Sequence, residues 1–269
     1  MAVSSTFVSV DGDGYELQMG RWSRRLAPLF VNFAGISSAA RILDVGCGTG
    51  SLSFNLARNP NIGNVRGVDF SPVYIEHAKR HNNDARIDFQ IGDACALPFP
   101  DAAFDHSLSM LVLQFIPQPE LAAREMRRVT CPGGTVAAAT WDSRGGFVAS
   151  RMFWDTAAML DPAANERRAK SYARPISVPG GLAHVWREAG LREVVQDMLT
   201  IRMDFESFAD FWVPYEGKDG PLADYVGTLS AEAKTMLRDM VKLAYLDGEP
   251  DGARSYAATA WVVKGNVPM

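Results

Sequence analysis

Between residues 41 and 141, short apolar runs alternate with amphipathic stretches. Residues 41–45, 65–69, 87–91, 104–110 and 135–141 read as strands. Helical patterns at 51–58, from Ser71–Pro72 onward and at 120–129 separate them. In 51–58, Leu52 and Leu56 stand one turn apart. Ser71 suits an N-cap and Pro72 the first helical position. Pro132-Gly133-Gly134 reads as a turn. Strands alternating with helices predict right-handed crossovers and a mainly parallel sheet.

Beyond Asp142 the rhythm loosens. Residues 143–180 read as irregular helix, interrupted by Pro162, Pro175 and Pro179. A short helix at 181–189 ends at Gly190. Residues 192–202 and 255–263 read as strands, and 205–212 and 231–246 as helices. In 231–246, Ala233, Met236, Leu237, Met240, Val241 and Ala244 share one helical face. The whole predicts a single α/β domain over 1–269, with seven strands and helical insertions near the last of them.

Composition narrows the function. The chain has 269 residues, 47% hydrophobic, with a formal net charge of −4. Slight acidity argues against nucleic-acid binding, which needs a basic footprint. No apolar run reaches the roughly 18 residues of a membrane span. The first residues lack the basic flank and apolar stretch of a secretory signal. Cys47, Cys95 and Cys131 are odd in number and have no metal-ligand spacing. They read as reduced thiols in a cytoplasm, with no metal site. Motifs of serine hydrolases, zinc proteases and phosphate-binding loops are absent.

The densest signal is Asp44-Val45-Gly46-Cys47-Gly48-Thr49-Gly50, between a strand and a helix. Alternating glycines allow positive φ and a bare backbone against a ligand, beside helix N-terminal amides. A dinucleotide fingerprint wants its third glycine where Ser51 stands. Asp69 ends the second strand 19 residues after Gly50, where a carboxylate can accept both ribose hydroxyls. Gly92-Asp93-Ala94 follows the third strand, and Asp105 and Pro132-Gly133-Gly134 come in order after it.

This D-x-G-x-G-x-G turn with its companions resembles the class I S-adenosylmethionine-dependent methyltransferases. The subgroup it is most similar to contains the small-molecule enzymes related to quinone-biosynthesis methyltransferases. The resemblance implies a Rossmann-like, doubly wound sheet and S-adenosylmethionine as cofactor, with S-adenosylhomocysteine as product. It implies a cofactor core at 41–141, an N-terminal helical cover at 1–40 and acceptor-side elements at 142–269. The cofactor residues it implies are Tyr15, Arg21, Asp44, Gly46, Cys47, Gly48, Asp69, Phe70, Asp93, Ala94 and Met110. Among them Asp93 sits near the adenine amino group, and the Ala94 amide near a ring nitrogen. Phe70 lies against the adenine face, or in the core. Arg21 pairs with the methionine carboxylate while Tyr15 covers the sulfonium; the other reading is an amphipathic helix packed through Tyr15, Met19 and Trp22.

An activated donor needs mainly positioning, so no catalytic triad is expected. His106 and Asp142 are the candidate bases, against a hydrogen-bonded core histidine and a loop cap. Met110, Leu111 and Gln114 follow the fourth strand, which in the family this chain resembles borders the methyl-transfer site, and Gln114 orients an acceptor or caps a turn. Phe205, Phe208, Phe211, Trp212 and Tyr215 form core or a lid. Arg167, Arg168, Lys170 and Arg174 form a solvated face or a seat for an anionic acceptor group. The partner implied is a small-molecule methyl acceptor. The alternatives are a non-catalytic S-adenosylmethionine-binding protein and a nicotinamide-dependent oxidoreductase.

Overall fold

The computed structural model describes residues 5–269 apart from Val8 and Ser37. The reading of the extreme N-terminus as lacking a secretory signal therefore lies partly outside the described residues. Seven strands form one sheet: β1 Ala39–Val45, β2 Ile62–Asp69, β3 Ile87–Ile91, β4 Phe104–Met110, β5 Thr130–Trp141, β6 Arg192–Phe205 and β7 Arg254–Asn266. Their order is β3-β2-β1-β4-β5-β7-β6. β1 to β5 run parallel, and β7 is antiparallel to both neighbours.

The central strands are apolar on both sides because helices cover both sheet faces. Ile42 and Leu43 are adjacent and fully buried, yet they enter opposite cores. That follows from the two-residue side-chain period of a strand. The Ile42 side gathers Trp22, Phe30 and Phe153; the Leu43 side gathers Met126 and Trp186. The chain leaves β1 toward β2 and β3, then returns to β4 on the other flank of β1. This reversal opens a crevice at the carboxyl ends of β1 and β4, the usual ligand position in open α/β sheets.

Local signals act as the sequence implies at several boundaries. Ser71 Oγ accepts from the Tyr74 amide at 3.2 Å, with Pro72 at the first helical position of Pro72–His81. Gly190 has φ +81° just beyond helix Gly181–Glu188. Helix Ala231–Leu246 has the expected bounds.

Three expectations need correction. β5 begins at Thr130, and residues 131–134 bulge from it, because Phe104 pairs with Thr130 but His106 pairs with Thr135. Phe205 ends β6 instead of opening a helix; Ser207 caps Phe208–Trp212. In Ala231–Leu246 the buried stripe is Leu237, Val241 and Tyr245, while Met236 is 58% exposed. Tyr245 displaces the expected stripe because its ring packs on Phe208 and Phe211. Of the two readings of the five rings from Phe205 to Tyr215, core and lid, the core one holds, since all five are buried in that same core. No helix among the described residues is long and apolar enough to cross a membrane.

Candidate functional site

The crevice at β1 is built from the glycine turn. Gly46, Gly48 and Gly50 all have positive φ, at +73°, +54° and +98°. The amides of Gly46 and Cys47 both donate to the Val68 carbonyl, which folds the turn onto β2. A Cβ on Gly46 would lie 2.4 Å from Val112, so bulk is excluded there. A Cβ on Gly48 would meet nothing within 4 Å, so its open side is free for a ligand. Helix Ser51–Ala57 follows, with the Ser51 hydroxyl buried and unpartnered at its first turn.

Asp69 stands at the end of β2. Its carboxylate accepts from Gly48 N at 2.9 Å and from Ser71 N at 2.8 Å. It therefore ties the glycine turn to the start of the next helix while lining the crevice. Burial raises its pKa, opposed by those two amides. Asp44 is 1% exposed and accepts from Ser53 Oγ at 2.7 Å. Burial pushes its pKa up to about 7, against the Ser53 hydroxyl and with the Asp69 charge. The same burial drives the Cys47 thiol well up. Two carboxylates and little compensating charge make this end of the crevice favourable for a cation.

Asp93 follows β3 and accepts from Cys95 N at 2.8 Å, so the Asx turn forms at the crevice wall. Phe70 also lines the crevice and is 56% exposed. That is an open aromatic face beside Asp69, not a core position. Ala94 and Met110 complete this wall.

The N-terminal segment closes one side. Asp11 caps helix Gly12–Tyr15, and a wider π turn at Glu16–Gly20 leads into Arg21–Ala34. Tyr15 lines the crevice and packs on Tyr74, with ring centroids 4.9 Å apart. Burial raises the Tyr15 pKa to about 12. Glu16 accepts from the Thr49 hydroxyl and pairs with Arg24, latching this segment to the glycine turn. Arg21 is not brought to the crevice. Its guanidinium pairs with Asp210 at 2.7 Å and lies over Trp22. Trp22 is buried against Phe205. Tyr15 thus faces the crevice and Trp22 the core.

Neither candidate base lines the crevice. His106 Nδ1 accepts from Thr135 N at 3.0 Å, and burial lowers its pKa. Asp142 accepts from the amides of Arg144 and Gly145, which is a loop cap.

Leu111 stands where the sequence reading puts the border of the methyl-transfer site, and several other site residues escaped that reading. Leu111 has φ +67°, a left-handed conformation that is costly for leucine, at the junction of β4 and the crevice. Phe7, Tyr74 and Phe115 add aromatic walls, and Phe7 packs on Phe115 at 4.8 Å. Asp219, 2% exposed, accepts from Val10 N at 2.7 Å and Tyr74 Oη at 3.0 Å. It fastens the N-terminal strap to the later insertion. No local pattern announces such partners, which lie 209 and 145 residues from Asp219.

Comparison with known proteins agrees with this geometry. The family described as methyltransferase domain matches residues 43–138. Demethylmenaquinone methyltransferase of Renibacterium salmoninarum is 40% identical over 124 residues, 46% of this chain and 50% of that protein. Malonyl-(acyl-carrier protein) O-methyltransferase of Erwinia pyrifoliae is 37% identical over 123 residues, 46% of this chain and 45% of that one. The chain thus spans about half the length of the curated relatives it matches. Phosphoethanolamine N-methyltransferase 2 of Haemonchus contortus, solved with phosphomonomethylethanolamine and S-adenosylhomocysteine, superposes with a TM-score of 0.60. It is 19% identical, over 96% of this chain and 57% of that one, a likeness of fold. Residues 43–138 of this chain thus match the methyltransferase domain family, and the strand order and glycine turn described above agree with that match.

Proposed function

We propose that the chain transfers the methyl group of S-adenosylmethionine to a small organic acceptor by direct displacement. The observation that carries this is the Asp69 carboxylate, held by two amides beside the open face of Gly48. Each of its oxygens keeps lone-pair capacity for a ribose hydroxyl. The buried, unpartnered Ser51 hydroxyl supports a polar ligand at the same turn. The residues that would hold the cofactor are Tyr15, Asp44, Gly46, Cys47, Gly48, Asp69, Phe70, Asp93, Ala94 and Met110.

When bound, S-adenosylmethionine supplies a methyl group on a positively charged sulfur. The chain's own work is binding and orientation, which can contribute on the order of 7–11 kcal/mol. Asp44 and Asp69 favour the cation. Tyr15 and Tyr74 exclude water from one side, and Leu111 walls the path toward the acceptor. The site supplies no base from His106 or Asp142, which are engaged elsewhere. An acceptor that is already nucleophilic at neutral pH fits this arrangement. The unpaired thiols of Cys47, Cys95 and Cys131 support a reducing, cytoplasmic setting.

S-adenosylhomocysteine at about 100 times its dissociation constant should stabilise the fold by about 2.7 kcal/mol. NAD at the same concentration should give no shift. Thermal denaturation reads both, and a shift with NAD alone would overturn the assignment.

We also propose that the segment around Tyr15 orders over the cofactor. Its latch to Thr49 through Glu16 and its Tyr15–Tyr74 contact support this. Cutting the chain after Trp22 would remove a buried core residue, so truncation is a poor test. Hydrogen exchange is direct: protection of residues 10–20 should rise on adding S-adenosylhomocysteine. Unchanged exchange there would remove Tyr15 from the site.

A further inference from the structure

A second cavity of about 270 Å³ adjoins the cofactor crevice. Tyr15, Leu111 and Phe115 line both, so the two share a wall. Its floor is aromatic, from Trp141, Phe147 and Trp154. Its far wall carries cations from helix Pro162–Tyr172 and the turn after it.

The cations of this insertion divide into two groups. Arg151 and Arg168 share Asp155, at 2.8 and 3.0 Å, and Arg167 pairs with Asp224 at 2.6 Å. Arg174 has no carboxylate partner among the described residues. It donates to the Gln114 carbonyl at 2.7 Å and lies 5.3 Å from the Phe115 ring centroid. Burial lowers its pKa, with no opposing charge. Lys170, on the same wall, is exposed and likewise unpaired among the described residues. A part-buried guanidinium without a counter-charge is costly unless an anion arrives. Gln114 Oε1, on the same cavity, is buried without a donor, so a polar hydrogen-bond donor on the bound molecule would satisfy it.

Resting on the proposed methyl transfer, we infer that the acceptor is a flat, apolar molecule bearing an anionic group, seated by Arg174 and Lys170. The apolar body lies on the Trp141–Phe147–Trp154 floor, and the anion, a carboxylate or a phosphate, faces the unpaired cations. This ranks the acceptor by charge, which the cofactor half of the site does not do.

Calorimetry with three probes that share one naphthalene body tests it, each in the presence and absence of S-adenosylhomocysteine. The probes are 2-naphthoate, 2-naphthyl phosphate and neutral 2-naphthamide. At least one anion should bind about tenfold or more tightly than the amide. The better anion identifies the group. Arg174→Met should remove that advantage, and Lys170→Met, at an exposed position, should reduce it. Neither should change affinity for the amide or for S-adenosylhomocysteine. Equal binding of all three probes, binding of none, or wild-type discrimination in both variants overturns the inference. Failure of the wild-type protein to bind S-adenosylhomocysteine would instead count against methyl transfer, and the comparison without the nucleoside would still decide the anion site.

Discussion

Asp69→Ala is expected to weaken S-adenosylhomocysteine binding by about ten- to hundredfold, the cost of about 1.5–3 kcal/mol for hydrogen bonds to a charged acceptor. The variant should also melt earlier. Position at a strand end suggests that Asp69 is dispensable for folding, but its oxygens accept from Gly48 N and Ser71 N. Removing the carboxylate leaves both amides without that partner, at about 1–3 kcal/mol for each that stays dry. The glycine turn and the Pro72–His81 helix start are then no longer tied to one point. Calorimetry measures the affinity and thermal denaturation the stability. Wild-type affinity in a folded Asp69→Ala protein would end the ribose role.

The cofactor half was legible because its chemistry is local. Positive φ at three alternating positions demands glycine, and Gly46, Gly48 and Gly50 stand there. Asp69, Phe70 and Asp93 follow strands whose apolar runs mark their own ends, so their place at the crevice follows from the parallel topology. The crevice is lined by every residue expected at the cofactor except Arg21. The placement of Arg21 away from the crevice was not legible, because its partner, Asp210, lies 189 residues away. The same distance problem hid Asp219 and its hold on Val10 and Tyr74. The place of Leu111 beyond the fourth strand was legible, but its left-handed backbone was not, since a leucine side chain does not announce a positive φ. The acceptor side was least legible. Arg167, Arg168, Lys170 and Arg174 look alike in a basic run, and only the placement of Asp155 and Asp224 separates the neutralised from the unpaired. The aromatic run near Trp212 kept two readings because helical spacing serves a core and a lid equally. Contacts with Phe153 and Tyr245 decide for the core.

Asp44→Asn is expected to stabilise the ligand-free protein at pH 8 and to lose that advantage toward pH 4. Asp44 is almost fully buried, and its pKa rises from 3.8 to about 7 because burial disfavours the charge. A raised carboxyl pKa means that the folded state holds a proton the unfolded state has released. Stability then falls as pH rises from about 4 to about 7, and the full penalty remains above that window. The shift corresponds to at most about 4 kcal/mol. Asparagine avoids the buried charge and can still accept from Ser53 Oγ. Its melting point at pH 8 should exceed the parent's by roughly 5–10 °C. The functional cost should be opposite in sign. A buried anion beside Asp69 attracts a positive sulfur, so the parent should prefer S-adenosylmethionine to S-adenosylhomocysteine more strongly at pH 8 than at pH 6. In Asp44→Asn that pH dependence should flatten. Melting curves between pH 4 and 8 and calorimetry with the two nucleosides measure the two halves separately. An equal melting gain at both ends of the range would show that Asp44 does not titrate in the window that burial assigns to it.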